Sequence, residues 1–376
     1  MVITFLGFRH LNSGIDNVNP LKENRFSGRL RHLWSKLKHS YIKTFALLFA
    51  LGFSLSLTVS ACAPTQQTNT TTAPTSAATS VASSNSQQSN VIRIGYQKYG
   101  TLSILKSRGS LEQRLASQNI SVQWLQFPAG PQLLEALNAG SIDFGHTGEA
   151  PPIFAQAAGA PLVYVANEPP NPKGEAILVP KDSPIQDVAG LKGKKVVFNK
   201  GSNVHYLVVE ALRAAGLKYS DIQPIYLPPA EARAAFEQSS VDAWAIWDPF
   251  FTVAKRATDA RVLKDGEGLV ANREFYLAAK PFNDQYSDRT KAILEELQKV
   301  DEWAAAQPTE VAKLLSPALG IDVPTLEEIS RRRPYGVQPI TAEVITYQQK
   351  VADTFLDLKL LPKQVKISEV AQVTKQ

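Results

Sequence analysis

The stretch Ser141-Ile142-Asp143-Phe144 decides how this chain is read, because Ser240-Val241-Asp242-Ala243 repeats its pattern 99 positions later. Each copy follows a helix-like segment, one opened by Gly130-Pro131 and the other by Pro228-Pro229. The same offset pairs Ala136 with Ala235, Leu137 with Phe236 and Glu149 with Asp248. Upstream of each copy, a short apolar run (92–97 and 195–198) leads into a small-residue turn, Gly100-Thr101 or Gly201-Ser202, and then into a helical pattern. Two α/β halves of one design imply two lobes facing each other across a cleft. Such clefts hold small molecules.

Working outward, short apolar runs alternate with helical patterns. Strands are expected at 91–97, 121–127, 143–148, 162–167 and 175–180, then at 195–199, 222–227, 242–247, 261–264 and 274–279. Pro131 suits a first helical turn and Gly140 a left-handed stop, while Ser202 and Gly216 bracket another helix in the same way. This alternation predicts mixed, mostly parallel sheets covered on both faces. From about 286 the pattern turns helical, with helices expected at 289–306, 308–315, 324–331 and 341–358. Such a tail implies that the chain crosses between the lobes twice, near Lys181 and Lys280, and returns to the first. The expected organisation is lobe 1 over 91–181, lobe 2 over 182–279, and the helical remainder of lobe 1 over 280–376.

The formal net charge of +6 resides in the first 61 residues. There Arg9, Lys22, Arg25, Arg29, Arg31, Lys36, Lys38 and Lys43 face only Asp16 and Glu23. An uncharged, largely apolar run from 44 to 61 follows. A basic segment, an apolar segment and a small-residue boundary make up a secretory signal. Val59-Ser60-Ala61-Cys62 resembles the lipobox of bacterial lipoproteins, which implies cleavage before Cys62 and a lipid on its thiol. The alternative is an uncleaved membrane anchor, since about 18 apolar residues suffice to span a bilayer. Either reading puts the remainder outside the cytoplasm. Removing the leader brings the net charge to zero, so nucleic-acid binding loses its electrostatic basis. Cys62 is the one cysteine, which leaves no disulfide and no thiolate metal site. Residues 62–90 are polar, uncharged and too poor in apolar surface to fold, and they are expected to form a disordered tether.

Ligands of open α/β sheets bind beyond the carboxyl ends of the strands, where helix N-termini point. Four such turns are candidates: 97–101, 129–132, 146–149 and 201–205. Unpaired N–H groups and the helix dipole suit them to an anion. Thr101, Thr147 and Ser202 could add hydroxyl donors, and Gln97, Gln132 and Asn203 amide donors. No arginine stands near these tips, which favours a reversibly bound ligand held mainly by neutral dipoles. Against this, Ser202 and Thr101 would serve as helix caps more commonly than as ligand contacts. His146 and His205 would more commonly be surface or hydrogen-bonded histidines, although His205 is kept as a candidate contact. Trp244 and Trp247, three apart on one strand, point to opposite faces, and Trp244 is expected to wall the ligand's tail. Glu149 and Asp248 stand at matching mouths of the lobes. They either cap the helices that follow, or pair with Lys, Arg or a cationic ligand group across the cleft.

Three longer strings carry a resemblance: Ile94-Gly95-Tyr96-Gln97-Lys98, Pro151-Pro152-Ile153-Phe154-Ala155-Gln156-Ala157-Ala158-Gly159-Ala160, and Val241-Asp242-Ala243-Trp244-Ala245-Ile246-Trp247-Asp248-Pro249. With Phe127-Pro128-Ala129-Gly130-Pro131-Gln132 and Ser141-Ile142-Asp143-Phe144-Gly145, they resemble the aliphatic sulfonate-binding proteins of ABC importers. The similarity runs from about Val91 to Ile367, within the wider nitrate, sulfonate and taurine group. The resemblance implies a periplasmic-binding-protein fold, type II-like, with two interlobe crossovers. It also implies closure around a sulfonate and delivery to a permease with a cytoplasmic ATPase. The family's site positions fall on Gln97, Gly100-Thr101, Gln132, Thr147-Gly148, Ser202-Asn203 and Trp244. Glu149 stands where a shorter Asp is usual, and Asn203-Val204 where serine is richer, so the preferred organic tail stays open. Taurine, nitrate or another small organic solute is the alternative. A sulfonate is a monoanion with three acceptor oxygens and no proton, which a cradle of N–H and O–H donors matches. Three or four such bonds, about 1.5–3 kcal/mol each, would give roughly micromolar binding. No Gly-x-Ser-x-Gly elbow, P-loop, dinucleotide fingerprint or His-x-x-x-His pair is present. Neither enzyme activity, cofactor nor metal is therefore expected. The chain should act as a lipid-anchored monomer at the periplasmic face.

Overall fold

Residues 90–373 are described in the computed structural model, and they alternate strand and helix in the predicted order. The first half comprises β1 (Val91–Tyr96), α1 (Thr101–Arg108), α2 (Ser110–Ala116), β2 (Ser121–Gln126), α3 (Gly130–Asn138), β3 (Phe144–Gly148), α4 (Pro151–Ala157) and β4 (Leu162–Asn167). The second comprises β5 (Glu175–Val179), β6 (Lys195–Phe198), α5 (Asn203–Ala214), β7 (Gln223–Tyr226), α6 (Pro229–Glu237), β8 (Ala243–Trp247), α7 (Phe250–Thr258) and β9 (Arg261–Asp265). Strand β10 (Glu274–Ala279) then leads into α8 (Lys280–Gln285), α9 (Ser287–Ala306), α10 (Pro308–Leu319), α11 (Val323–Arg332) and α12 (Ala342–Asp357). The signal, Cys62 and the tether lie outside the described residues.

Two five-stranded sheets result, ordered β2-β1-β3-β10-β4 and β7-β6-β8-β5-β9. In each, four strands run parallel and the fourth position holds one antiparallel strand, β10 or β5. That strand is the one arriving from the other lobe. The crossings therefore fall at 168–174 and 266–273, ahead of β5 and β10, and not near Lys181 and Lys280. An apolar strand carries no mark of which sheet it enters, and this is why the sequence placed both crossings one strand late.

The repeated pattern is a pair of local devices. At the end of α3, the Ser141 N–H donates to the Ala136 carbonyl (2.8 Å) and the Gly140 N–H to Leu137 (3.0 Å). After α6, Ser240 donates to Ala235 (2.9 Å) and Ser239 to Phe236 (3.0 Å). Both are Schellman stops, which need a left-handed residue at the turn. Gly140 takes it at φ 68°, and Ser239 takes it at φ 55°. The aspartate that follows then clips two strands together. Asp143 Oδ2 accepts the Arg93 N–H at 2.8 Å, and Asp242 Oδ2 accepts the Lys195 N–H at 2.8 Å. These bonds hold β1 beside β3 and β6 beside β8 at the start of each pair.

Three apolar clusters cover the sheets. One joins α1, α2 and α9–α11 to the outer face of the first sheet through residues such as Leu102, Ile293, Val311 and Leu326. A second joins α6 and α7 to the second sheet around Phe236, Trp244 and Phe251. The third spans both lobes: α3 and α4 of the first, α5 of the second, and α12 between them. Phe355 of α12 packs on Phe154 at 4.9 Å and on His205 at 5.1 Å. The helical tail thus returns to the first lobe, as expected, but its last helix also seals one side of the interlobe seam.

A non-glycine residue in the left-handed region costs about 1–2 kcal/mol, and part of that is recovered by glycine's larger unfolded-state entropy. Ser239→Gly should therefore raise the urea midpoint, by about 0.5–1 kcal/mol in stability. Gly140→Ser should lower it by a similar amount.

Candidate functional site

The carboxyl ends of β1, β3, β6 and β8 converge on the seam between the lobes. Two adjoining cavities of about 20 and 30 Å³ lie there, sharing Gln97, Trp247, Asp248, Glu274 and Arg333. Each has room for about one or two water molecules, so the lobes are closed on each other. The inner cavity is polar. It is lined by Gly130, Pro151 and Asn203, which open α3, α4 and α5, and by Gly148, Asn171 and Asn272. The outer one is walled by Tyr99, Pro128, Pro249 and Phe250, with Lys98 and His146 beside them. Glycines make the convergence possible. A Cβ on Gly130 would meet Pro151 at 2.8 Å and Thr147 at 3.0 Å, and one on Gly148 would meet the Asn203 side chain at 2.8 Å. A roomier groove of about 590 Å³ lies on the outer face of α12 among Arg213, Gln349, Lys350 and Asp353, with neither helix N-terminus nor aromatic wall.

Gln97, Gly148, Asn203 and Asp248 line these cavities. Gln97 donates to the His146 carbonyl at 3.2 Å, and Asn203 donates to Glu175 and to Asn272 Oδ1 (2.8 Å). Gly100 lies behind them, where a Cβ would meet His146 Nε2 at 3.1 Å. The buried carbonyl oxygen of the Gln132 amide has no hydrogen-bond partner among the described residues. Thr101 turns away: its hydroxyl donates to Asp301 at 2.7 Å. Thr147 bonds locally to the Gly148 carbonyl (3.0 Å), and the Ser202 hydroxyl donates to the Asn199 carbonyl (2.7 Å) without capping α5.

Two further expected roles change. Trp244 is fully buried and packs on Phe236 at 5.7 Å, while Trp247, on the opposite face of β8, walls both cavities. The odd spacing did require opposite faces. Only the covering helix α6 decides which face is core. His205 is an interior residue: it accepts the Gly201 N–H on Nδ1 (3.1 Å), and its Nε2 meets the Tyr219 hydroxyl at 2.9 Å. Burial, followed by the charge of Lys200, depresses its pKa to about 3, so it remains a neutral scaffold residue.

The matched acids diverge as well. Asp248 accepts the Thr252 N–H (3.2 Å) and hydroxyl (2.7 Å), and it also accepts Arg332 from the other lobe at 2.6 Å. Capping and cross-cleft pairing thus occur together. Glu149 is fully buried behind the inner cavity, taking the Arg273 N–H at 3.2 Å and the Tyr347 hydroxyl at 3.3 Å. Burial pushes its pKa up to about 7 against the pull of those donors.

The sequence pattern gave no sign of Asn171, Asn272 and Arg333 as cleft residues, whereas Lys98 fell within a candidate turn and Trp247 on the face opposite Trp244. The asparagines lie on the crossings, which the sequence puts one strand later, and Arg333 follows a helix far along the chain from every candidate turn. Its guanidinium, 7% exposed, pairs with Glu168 and Glu274. Burial opposes charge on Glu274, but Arg333 outweighs it and holds that carboxyl below its usual range. Burial raises Glu168. Burial thus disfavours charge on Glu168 while Arg333 favours it on Glu274, and the guanidinium is committed to these two carboxyls.

A carboxyl whose folded pKa is raised binds its proton more tightly in the folded state. Its contribution is complete below about 4.5, the ordinary value, and is lost as pH rises through about 7. Replacing wild type by Glu149→Gln should remove up to about 3 kcal/mol of the stability loss between pH 5 and pH 8, at about 1.36 kcal/mol per unit. Urea unfolding at the two pH values measures it, and equal losses in both proteins would contradict the assignment.

Comparisons with known proteins agree with this geometry. The model of the family described as NMT1/THI5 like matches residues 115–311. A relative from Escherichia coli (strain K12), named as an aliphatic sulfonates-binding protein, is 50% identical over 280 residues, covering 74% of this chain and 87% of its own. The alkanesulfonate-binding protein SsuA from Xanthomonas axonopodis pv. citri, solved bound to MOPS, is 43% identical. It superposes with a TM-score of 0.73 over 75% of this chain and 98% of its own. The periplasmic aliphatic sulphonate binding protein SsuA from Escherichia coli is 48% identical, with a TM-score of 0.68 over 75% and 97%. By the family model over more than half of its length, and by its 50% identity to a relative that it covers almost fully, this chain belongs to the NMT1/THI5-like family.

Proposed function

We propose that the chain is an extracytoplasmic receptor that captures an aliphatic sulfonate by lobe closure and delivers it to an ABC permease. The observation that carries this reading is the two-ended lining of the cleft. At one end α3, α4 and α5 begin, with the amides of Gln97, Asn203, Asn171 and Asn272 around them. The N–H groups of those helix starts suit a monoanion, with the amides as polar neighbours. At the other end Phe250, Pro128 and Pro249 offer an apolar wall to an alkyl group, and Trp247 and Gln97 line both ends. The relative solved with MOPS, itself a sulfonate with a bulky tail, is consistent with that division. In the same reading Cys62 carries a lipid that tethers a monomeric receptor to the outer face of the cytoplasmic membrane, and the cleft binds without turnover.

A second reading within the family is taurine, favoured by Glu274, a carboxylate that lines both cavities and could meet an ammonium group. Calorimetry with ethanesulfonate, taurine, nitrate and sulfate separates the two. Ethanesulfonate is expected to bind at roughly micromolar Kd, and failure of every alkanesulfonate to bind would reject the proposal. Because the lobes meet at Gly148 and Asn203, Gly148→Ala should hold them apart. It is expected to weaken sulfonate binding about tenfold while the unfolding temperature of the free protein stays within about 2 °C.

A further inference from the structure

We propose that Arg332, which reaches no ligand position, is a positioning residue: it clasps the second lobe to the first and so sets how long a ligand stays bound. Arg332 ends α11, whose Leu326 and Ile329 are buried with the first sheet. Its guanidinium donates to Asp248 Oδ2 and to the Thr252 hydroxyl, both at 2.6 Å, and lies 5.2 Å from the centre of the Phe251 ring. Those three partners belong to the β8–α7 junction of the second lobe. One turn earlier on α11, Glu328 pairs with Arg256 of α7 at 2.9 Å. Lys98 of the first lobe lies 5.9 Å above the Phe250 ring. All of these contacts join the β8–α7 region of the second lobe to the first lobe.

The chemistry makes this a clasp more than a surface decoration. The Asp248 side chain is 9% exposed and that of Arg332 is 21% exposed, so both charges are largely desolvated when the lobes meet. A carboxylate in that position needs its cation, because burying it alone is costly. When the lobes part, water replaces the partner and the penalty vanishes. Arg332 therefore stabilises the closed form over the open one while leaving each lobe's own core untouched. Asp248 also caps α7 and lines both cavities, so the clasp closes on a residue that the ligand's tail faces. Removing one member of a hydrogen-bonded buried charge pair acts on dissociation more than on association.

The inference rests on the sulfonate reading for its ligand. In stopped-flow Trp fluorescence with ethanesulfonate, Arg332→Gln in the full chain should raise the dissociation rate and Kd about tenfold, with the association rate within about twofold. Arg332→Lys should restore part of the loss, and Arg332→Gln combined with Asp248→Asn should be less than additive. A Kd and dissociation rate within twofold of wild type for Arg332→Gln would overturn the clasp. Hydrogen exchange on the ligand-free chain tests the clasp independently of any ligand. Amides at the start of α5, covered by Gly148 across the cleft and distant in sequence from the clasp, should exchange severalfold faster in Arg332→Gln, while β1 and β6 stay protected. Unchanged exchange there would also overturn it. If wild type binds no sulfonate, the ligand assignment fails, and this exchange measurement alone decides the clasp.

Discussion

The two sides of the interlobe seam are built from different interactions, and the rest of the molecule depends on that asymmetry. On one side Phe355 of α12 fills a continuous apolar cluster shared by both lobes. Apolar contact is short-ranged, tightly packed and costly to open. Between α7 and the first lobe the contacts are ion pairs and cations over aromatic rings, which water can replace when they separate.

The duplicated sequence pattern serves this arrangement indirectly. Asp143 and Asp242 contact no ligand position. They fix the start of β3 beside β1 and of β8 beside β6 through the same backbone bond. With those starts fixed, the opposite ends of the strands arrive together at the cleft, and each delivers a helix N-terminus. The repetition that suggested binding is thus the scaffold that aims the binding groups. Past the strands the two halves diverge: Glu149 is buried behind the cavity, whereas Asp248 faces it and takes an arginine from the other lobe.

Buried ionisable groups concentrate beneath the cleft. Glu149, Glu168, Glu175 and Asp301 are all raised by burial, whereas Glu274 is held ionised by Arg333. Burial thus disfavours charge on these carboxyls, which limits the negative charge beneath the cleft. Arg333 in turn favours the ionised form of Glu274.

What the sequence determined by itself was local: the ten strands, the helix stops at Gly140 and Gly216, the strand-opening aspartates and the turns that face the cleft. Each of these follows from interactions within a few residues or from a hydrophobic period, and both are written in adjacent letters. The four turns were legible because helix starts and strand ends have recognisable punctuation. Only the tertiary structure decided that β5 and β10 exchange sheets, that Trp247 and not Trp244 walls the cleft, that Ser202 and Thr101 spend their hydroxyl protons on the scaffold, and that Arg332 and Arg333 reach the cleft from the tail. Those outcomes depend on which element covers which face and on contacts between residues far apart in the chain. A single sequence records the groups available for such contacts, but the pairing is fixed only when the lobes pack.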